Sequence, residues 1–181
     1  PIAVILTALG LETSAVLRHL PHNRSIESVS GTAFHKGQFG NWDVVVAEVG
    51  AGNIGAAAIT VRACDHYKPT VAFFVGVAGG VKDVSLGDVV VATKVYGYES
   101  GKDKAREFQA RPNSLRSHDT LEQYARVMRQ TKEWHALLNP QLNHEHPTLA
   151  VGPIAAGEKV VASNHSSTAK LLHKHYGDAL A

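Results

Sequence analysis

Three glycines follow a short apolar run and could bring the backbone close to a ligand. Gly76, Gly79 and Gly80 come directly after residues 71–75, whose length and composition predict a strand buried on both faces. Glycine has no side chain, so the chain can turn tightly there and approach another group closely. Because open α/β sheets bind ligands at the carboxyl ends of their strands, the glycines predict either one wall of a ligand site or a tight turn that serves packing alone.

Glu12 stands where a predicted strand gives way to a predicted helix. Residues 2–6 are a continuous apolar run typical of a central strand, and helical spacing follows from 12 to 20. An acid in the first turn of a helix is explained by its favourable interaction with the helix dipole. Since the end of a buried strand is also where ligand sites form, Glu12 remains a candidate for a site at that edge.

Gly50, Gly52 and Gly55 match the pattern G-x-G-x-x-G between a strand and a helix. This pattern is the fingerprint of dinucleotide binding, and it raises the alternative of a nicotinamide-dependent oxidoreductase. However, residues 73–75 at the end of the next strand are apolar, where an acidic residue would bind the ribose. We therefore interpret the glycines as close helix–sheet packing, with the backbone of the turn available to line a pocket.

The histidines do not form a convincing metal motif. His144 and His146 flank Glu145, but no second pair of ligands accompanies them. His173 and His175 are two residues apart on a predicted helix and so do not share a face. No metal and no cofactor are therefore expected.

Composition indicates an ordinary globular protein of 181 residues with a formal net charge of +2. That length predicts a single domain over 1–181, and the weak charge argues against nucleic acid as a partner. A lone Cys64 and the lack of an apolar run of roughly 18 residues predict a cytoplasmic protein that does not interact with membranes. The chain begins at Pro1 and not at Met, which we take as a sign of processing or of a longer parent chain.

Apolar runs alternate with stretches of helical spacing, which predicts an α/β fold. A long polar loop is expected over 100–118, and the start of another strand over 178–181. The predicted strands cover 2–6, a pair within 28–39, 44–47, 71–75, 89–92 and 148–156, and the predicted helices cover 12–20, 53–67, 119–138 and 163–176.

Several blocks of this sequence together resemble the family of purine nucleoside phosphorylases and methylthioadenosine/S-adenosylhomocysteine nucleosidases. The blocks are residues 4–12, 49–53, 74–80, 86–91 and 155–161. The resemblance covers nearly the whole chain outside 100–147. It implies a twisted, mostly parallel or mixed central sheet with helices on both faces, of which the C-terminal strand and helix are missing here. It also implies cleavage of the N-glycosidic bond of a purine nucleoside, and assembly as a homo-oligomer.

The resemblance assigns roles to individual residues. It implies that Glu12 positions and activates the attacking water, that the turn at 77–79 lies along the ribose and the nucleophile, and that Val160 and Val161 cover the base. It requires no cofactor, although phosphate is a possible co-substrate. The implied substrate-binding residues are Ala8, Leu9, Ala51, Val77, Ala78, Gly79, Glu158, Lys159, Val160 and Val161.

Two departures from the family pattern bear on activity. The family usually has Ser or Thr where this chain has Val77. The first loop of this chain also has no arginine to hold phosphate, so hydrolysis is favoured over phosphorolysis. The family's ribose-binding Glu-Met-Glu segment would follow Ala181, and its base-protonating aspartate would come later. We therefore predict that these residues alone are a poor catalyst. The alternative is a nucleoside-binding sensor or effector module of a larger signalling protein.

Overall fold

The computed structural model describes residues 1–20, 24–105, 108–111, 113–138, 147–159, 161, 163 and 165–181. They form two compact units, Pro1–Val77 and Ala78–Ala181, and the prediction of one domain stays a prediction. In chain order the elements are β1 (Ile2–Thr7), α1 (Gly10–Arg18), β2 (Ser25–Val29), β3 (Thr32–Phe39), β4 (Trp42–Glu48), α2 (Asn53–Tyr67), β5 (Val71–Phe74), β6 (Val89–Gly97), β7 (Gly101–Asp103), β8 (Phe108–Ala110), β9 (Asn113–Arg116), α3 (Asp119–Thr131), a 3-10 helix (Glu133–Leu137), β10 (Leu149–Ala156) and α4 (Ser167–His175).

The first unit is built on a mixed sheet with the strand order β2-β3-β4-β1-β5. β1 runs parallel to both β4 and β5, whereas β2, β3 and β4 are joined antiparallel. The strand pair predicted within 28–39 is present, but its first strand begins earlier, at Ser25. In the register of β1 and β4, Thr7 lies opposite Glu48. Since the strands are parallel, their carboxyl ends therefore lie together at one edge of the sheet.

Helices cover both faces of this sheet because its central strands are apolar on both sides. Successive side chains of a strand point to opposite faces. On β4, Val45 and Ala47 pack in a cluster with residues of α2, whereas Val44 and Val46 pack in a cluster with residues of α1. This arrangement confirms the predicted mixed sheet with helices on both faces.

The second unit contains a smaller sheet with the order β10-β6-β9, and a separate β7–β8 hairpin. β10 is parallel to β6, and β9 is antiparallel to it. Leu172 and Tyr176, at the end of α4, pack against Tyr98 in the core of this unit. The segment 179–181 extends beside β10, since the Leu180 N–H donates to the Pro153 carbonyl and the Ala155 N–H donates to the Ala181 carbonyl.

Two strands are less buried than their composition predicts. β5 was expected to be buried on both faces, but it is an edge strand of its sheet, and Phe74 is 59% exposed. β6 has an equally apolar beginning, but Val89 is exposed and the rest of the strand is half-buried. An apolar run therefore identified both strands correctly, but it did not determine how much of each strand is covered.

The long loop predicted over 100–118 is wrong. This region contains β7, β8 and β9, and β9 extends the sheet by pairing with β6. All four residues of β9 are exposed, so its sequence lacks the alternation of apolar and polar residues that marks a half-buried strand.

The C-terminal helices differ from the prediction at their ends. α3 ends at Thr131, since Lys132 has φ 56° and a 3-10 helix follows, so the helix predicted to 138 is too long. α4 begins later than the predicted 163, since its cap is Ser166, whose hydroxyl accepts from the Ala169 N–H. None of the described helices combines the length and apolar character that crossing a bilayer requires.

Candidate functional site

Glu12 is the most firmly held carboxylate at the carboxyl edge of the first sheet. Its Oε2 accepts hydrogen bonds from the N–H groups of Ala8 at 2.8 Å and Leu9 at 2.9 Å. Its Oε1 accepts from the Val77 N–H at 2.8 Å, and the residue is only 7% exposed. A carboxylate has roughly four acceptor positions, so three donors leave about one for a further partner.

A helix cap explains part of this geometry but not all of it. Leu9 is the extended residue before α1, and Glu12 is the third residue of the helix, from which an acid commonly reaches back to the preceding N–H. The Val77 N–H comes from the turn beyond the end of β5 and has no part in capping α1. Glu12 therefore acts as a first-turn acid of α1, and it also makes a long-range contact with the Val77 N–H.

Gly76 permits this contact. A Cβ at this position would lie 2.8 Å from the Glu12 Oε1, closer than real Cβ contacts come. The predicted close approach of the glycine turn is thus confirmed here, and the group approached is the Glu12 carboxylate. Val77 contributes only its backbone, because its side chain is 78% exposed. The aliphatic side chain adds no hydrogen-bond donor to the site.

A buried pair of threonines lies beneath Glu12. The hydroxyls of Thr7, at the end of β1, and Thr13, in α1, are 2.7 Å apart, and Thr7 is 0% exposed. The Thr13 hydroxyl also lies 3.1 Å from the Leu9 carbonyl. The pair therefore links the end of the strand to the first turn of the helix, where the donors to Glu12 are found.

Glu48, which we did not single out from the sequence, brings a second carboxylate to the same edge. It ends β4, its Oε2 lies 3.5 Å from the Thr13 hydroxyl, and a Cβ on Gly10 would be 3.3 Å from that oxygen. Its position was accessible from the sequence, since it directly follows the apolar run of β4. The rule that ligands bind at the carboxyl ends of parallel strands points to it as much as to Glu12.

Ala51, a predicted substrate-binding residue, is exposed in the turn between β4 and α2. Gly50 and Gly52 on either side have φ of 76° and 100°, which side chains rarely adopt. A Cβ on Gly55 would lie 3.2 Å from the Val49 carbonyl. These contacts confirm close helix–strand packing as the role of this glycine pattern.

The segment predicted to face the purine belongs to the second unit. The Glu99 carboxylate accepts from the Glu158 N–H at 2.8 Å and pairs with the Lys159 Nζ at 3.5 Å. The Tyr98 hydroxyl donates to the Lys159 carbonyl at 3.3 Å. Burial raises the pKa of Tyr98, and the negative charges of Glu99 and Glu158 raise it further.

The remaining predicted residues contribute less to the described geometry. Ala78 and Gly79 are exposed at the start of the second unit, and Val161 is 37% exposed. Val160 lies outside the described residues, as do His144, Glu145 and His146. Asp88, which precedes β6, caps its loop. The N–H groups of Ser85 and Thr148 donate to its carboxylate and lower its pKa.

In the part of the chain that the structure describes, no three His, Cys, Asp or Glu side chains form a group that could hold a metal.

Sequence comparison finds nucleosidases among the relatives of this chain. It is 32% identical over 108 residues to a 5′-methylthioadenosine/S-adenosylhomocysteine nucleosidase of Chromohalobacter salexigens, and the match covers 54% of this chain and 46% of the relative. The chain thus spans about half the length of the curated relatives it matches.

Structural comparison gives the same fold over the whole chain. A nucleosidase of this name from S. pneumoniae, solved with the transition-state inhibitor MT-ImmA, has a TM-score of 0.76 and 25% identity and covers 100% of this chain and 74% of its own. The futalosine hydrolase of Helicobacter pylori has a TM-score of 0.77 over 99% of this chain and 72% of its own, and at 19% identity it shows the fold alone. The family model described as the phosphorylase superfamily matches residues 2–180. The chain therefore belongs to the phosphorylase superfamily.

Proposed function

We propose that this protein hydrolyses the N-glycosidic bond of a purine nucleoside, with Glu12 positioning the attacking water. The observation that carries the proposal is the carboxylate of Glu12, which three backbone N–H groups hold in place while about one acceptor position is left over. A water molecule donating to that position would be held by a group that is itself fixed by the fold. Such positioning is what a hydrolytic site requires.

The proposed reaction uses Glu12 as a general base. Water loses a proton to the carboxylate as its oxygen forms a bond to C1′ of the ribose. The bond from C1′ to the purine nitrogen breaks, and its electron pair passes to the base. The base takes up a proton from the solvent, and Glu12 later returns its proton to the solvent. The transition state resembles an oxocarbenium ion, and a positioned base typically contributes about 10²–10⁴-fold.

Methylthioadenosine and S-adenosylhomocysteine are the substrates we propose, because the named relatives act on these nucleosides. The backbone at Ala8, Leu9 and Ala51 would line the sugar side of the substrate, and the other substrate-binding residues that the resemblance implies stay predictions. Water is favoured over phosphate because Val77 supplies no side-chain donor. Assembly as a homo-oligomer and a cytoplasmic location stay predictions, and light scattering tests the first.

Adenine release from methylthioadenosine tests the proposal. We expect release by the wild-type protein and a loss of about 10²–10⁴-fold in Glu12→Gln, which keeps the shape of the side chain but not its basicity. The control is Glu133→Gln, because Glu133 is an exposed residue of the 3-10 helix. This variant should release adenine as fast as wild type. Slow turnover by the wild type, expected from the sequence, stays a prediction that the same assay tests.

Melting temperature with and without methylthioadenosine separates enzyme from sensor. A ligand that binds the folded state must raise the melting temperature. A rise accompanied by adenine release supports the proposal. A rise without any release favours the sensor module, and the absence of both contradicts nucleoside binding altogether.

A further inference from the structure

The start of α1 is faced by two carboxylates. The Glu12 carboxylate accepts hydrogen bonds from the N–H groups of Ala8 and Leu9. Side chains on β4 alternate between the two faces of the sheet, and Val44 and Val46 pack on the α1 side. Glu48 continues that alternation, so its carboxylate lies on the same side, over Gly10 at the first turn of the helix.

This turn is where an anion would otherwise bind. The N-terminus of a helix offers free N–H groups and a partial positive charge, which together favour phosphate. Here the donors at Ala8 and Leu9 already have an anionic partner, and a second anion lies within 3.5 Å of the Thr13 hydroxyl. A phosphate approaching this turn would meet two negative charges, and the Ala8 and Leu9 donors would already be taken.

No described cation offsets this charge. Neither Glu12 nor Glu48 forms an ion pair with a basic side chain among the residues that the structure describes. Gly10 allows the Glu48 oxygen to come this near, because a Cβ at 3.3 Å would make the contact tighter than most real ones. The close approach of Glu48 is therefore built into the turn.

We infer that Glu48 is a specificity-determining residue that keeps inorganic phosphate away from the start of α1. This inference rests on the proposed function, because excluding phosphate matters only where water and phosphate compete for the same sugar carbon. Glu12 alone holds the water, and Glu48 supplies the additional charge that repels the competitor. The chemical consequence is release of a free sugar and not of a sugar phosphate.

Binding of inorganic phosphate to the full chain, measured by titration calorimetry at constant ionic strength, tests the inference without requiring turnover. We expect no measurable binding by wild type, and binding by Glu48→Ala and Glu48→Lys that tightens by about tenfold for each unit of charge removed or added. Asp43→Ala and Asp43→Lys are the matched controls, since Asp43 is an exposed acid on the same strand at its opposite end. The controls should bind phosphate no better than wild type.

The outcomes distinguish this inference from the proposed function. Phosphate binding gained only at position 48 supports the inference even if no variant releases adenine, in which case the proposed function fails alone. Wild-type binding as tight as that of Glu48→Ala, or an equal gain in the Asp43 variants, overturns the inference and leaves hydrolysis intact. If adenine release occurs, its rate in Glu48→Lys should become dependent on phosphate, and sugar phosphate should form as a product.

Discussion

Two segments for which the family resemblance predicts contacts with a nucleoside, one in each compact unit, are held in different ways. Glu12 is buried, and among the described residues its carboxylate accepts hydrogen bonds from three backbone N–H groups. Glu158 and Lys159 lie on the surface, and the side chains of Tyr98 and Glu99 hold them. The first arrangement depends on the path of the main chain, and the second depends on two side chains that can be replaced.

This difference suits the two tasks proposed for the segments. A group that positions water must stay in one place, because an error of about 1 Å costs catalysis heavily, and backbone donors provide that constraint. A segment that covers the base can be looser. The Lys159–Glu99 pair is exposed and contributes only about 0–1 kcal/mol. We therefore expect the Glu12 site to open less often than residues 158–159.

Replacing Gly76 with alanine should disrupt the hydrogen bonds that hold Glu12 and should have the largest effect on stability and adenine release. The new Cβ would lie 2.8 Å from the Glu12 Oε1, so the carboxylate or the turn must move. We expect a loss of about 1–3 kcal/mol in the free energy of unfolding and about 10²-fold in adenine release. Urea denaturation and the adenine assay measure the two losses.

Gly79→Ala is the control for this substitution. A Cβ on Gly79 would meet no atom within 4 Å, and Gly79 is not among the glycines with positive φ. Its stability should therefore change little. Equal losses of unfolding free energy in the two variants would mean that the turn, and not the contact with Glu12, is responsible.

Removing the Thr13 hydroxyl should weaken the support of the same site. Thr13→Val deprives the fully buried Thr7 hydroxyl of its partner at 2.7 Å, which costs about 1–3 kcal/mol of unfolding free energy. Thr13→Ser keeps the hydroxyl and should recover part of the loss. In α2, Thr60→Val removes a bond to the Ala56 carbonyl, and it should cost less because the hydroxyl is less buried. A similar shift of the urea midpoint in both valine variants would contradict this.

Sequence reasoning was most successful where one physical signal dominates. The apolar run of β1 and the helical spacing of α2 predicted both elements closely, and the family blocks predicted the mixed sheet. β9 gave no such signal because all its side chains are exposed. Its position depends on long-range pairing with β6, which local patterns do not contain.

The site was predictable only in part for the same reason. Position after a strand singled out Glu12, but the Val77 N–H that completes its environment is 65 residues away. Gly76 was recognised as a place of close approach without its partner being known. Glu48 directly follows the predicted strand 44–47, so the rule that ligands bind at the carboxyl ends of strands applied to it as well.

The smallest effect, and the sharpest test of the looser segment, is expected from Tyr98→Phe. The ring is retained against Gly157, where a Cβ would overlap it, and only the hydrogen bond to the Lys159 carbonyl is lost. At neutral pH we expect a cost of about 0.5–1.5 kcal/mol in unfolding free energy, and faster amide exchange at residues 158–159.

The pH dependence of that cost shows whether the hydroxyl acts in this environment. Burial and the nearby negative charges raise the pKa of Tyr98 in the folded state. The neutral phenol therefore contributes fully below the unfolded value of about 10, and the contribution is lost as the pH rises through the folded pKa. The difference between wild type and Tyr98→Phe in urea should accordingly shrink above about pH 10. Tyr67 and Tyr176, whose pKa values are also raised, titrate in both proteins, so their contributions cancel in the difference in unfolding free energy. Parallel pH profiles would mean that the Tyr98 hydroxyl does not hold this segment.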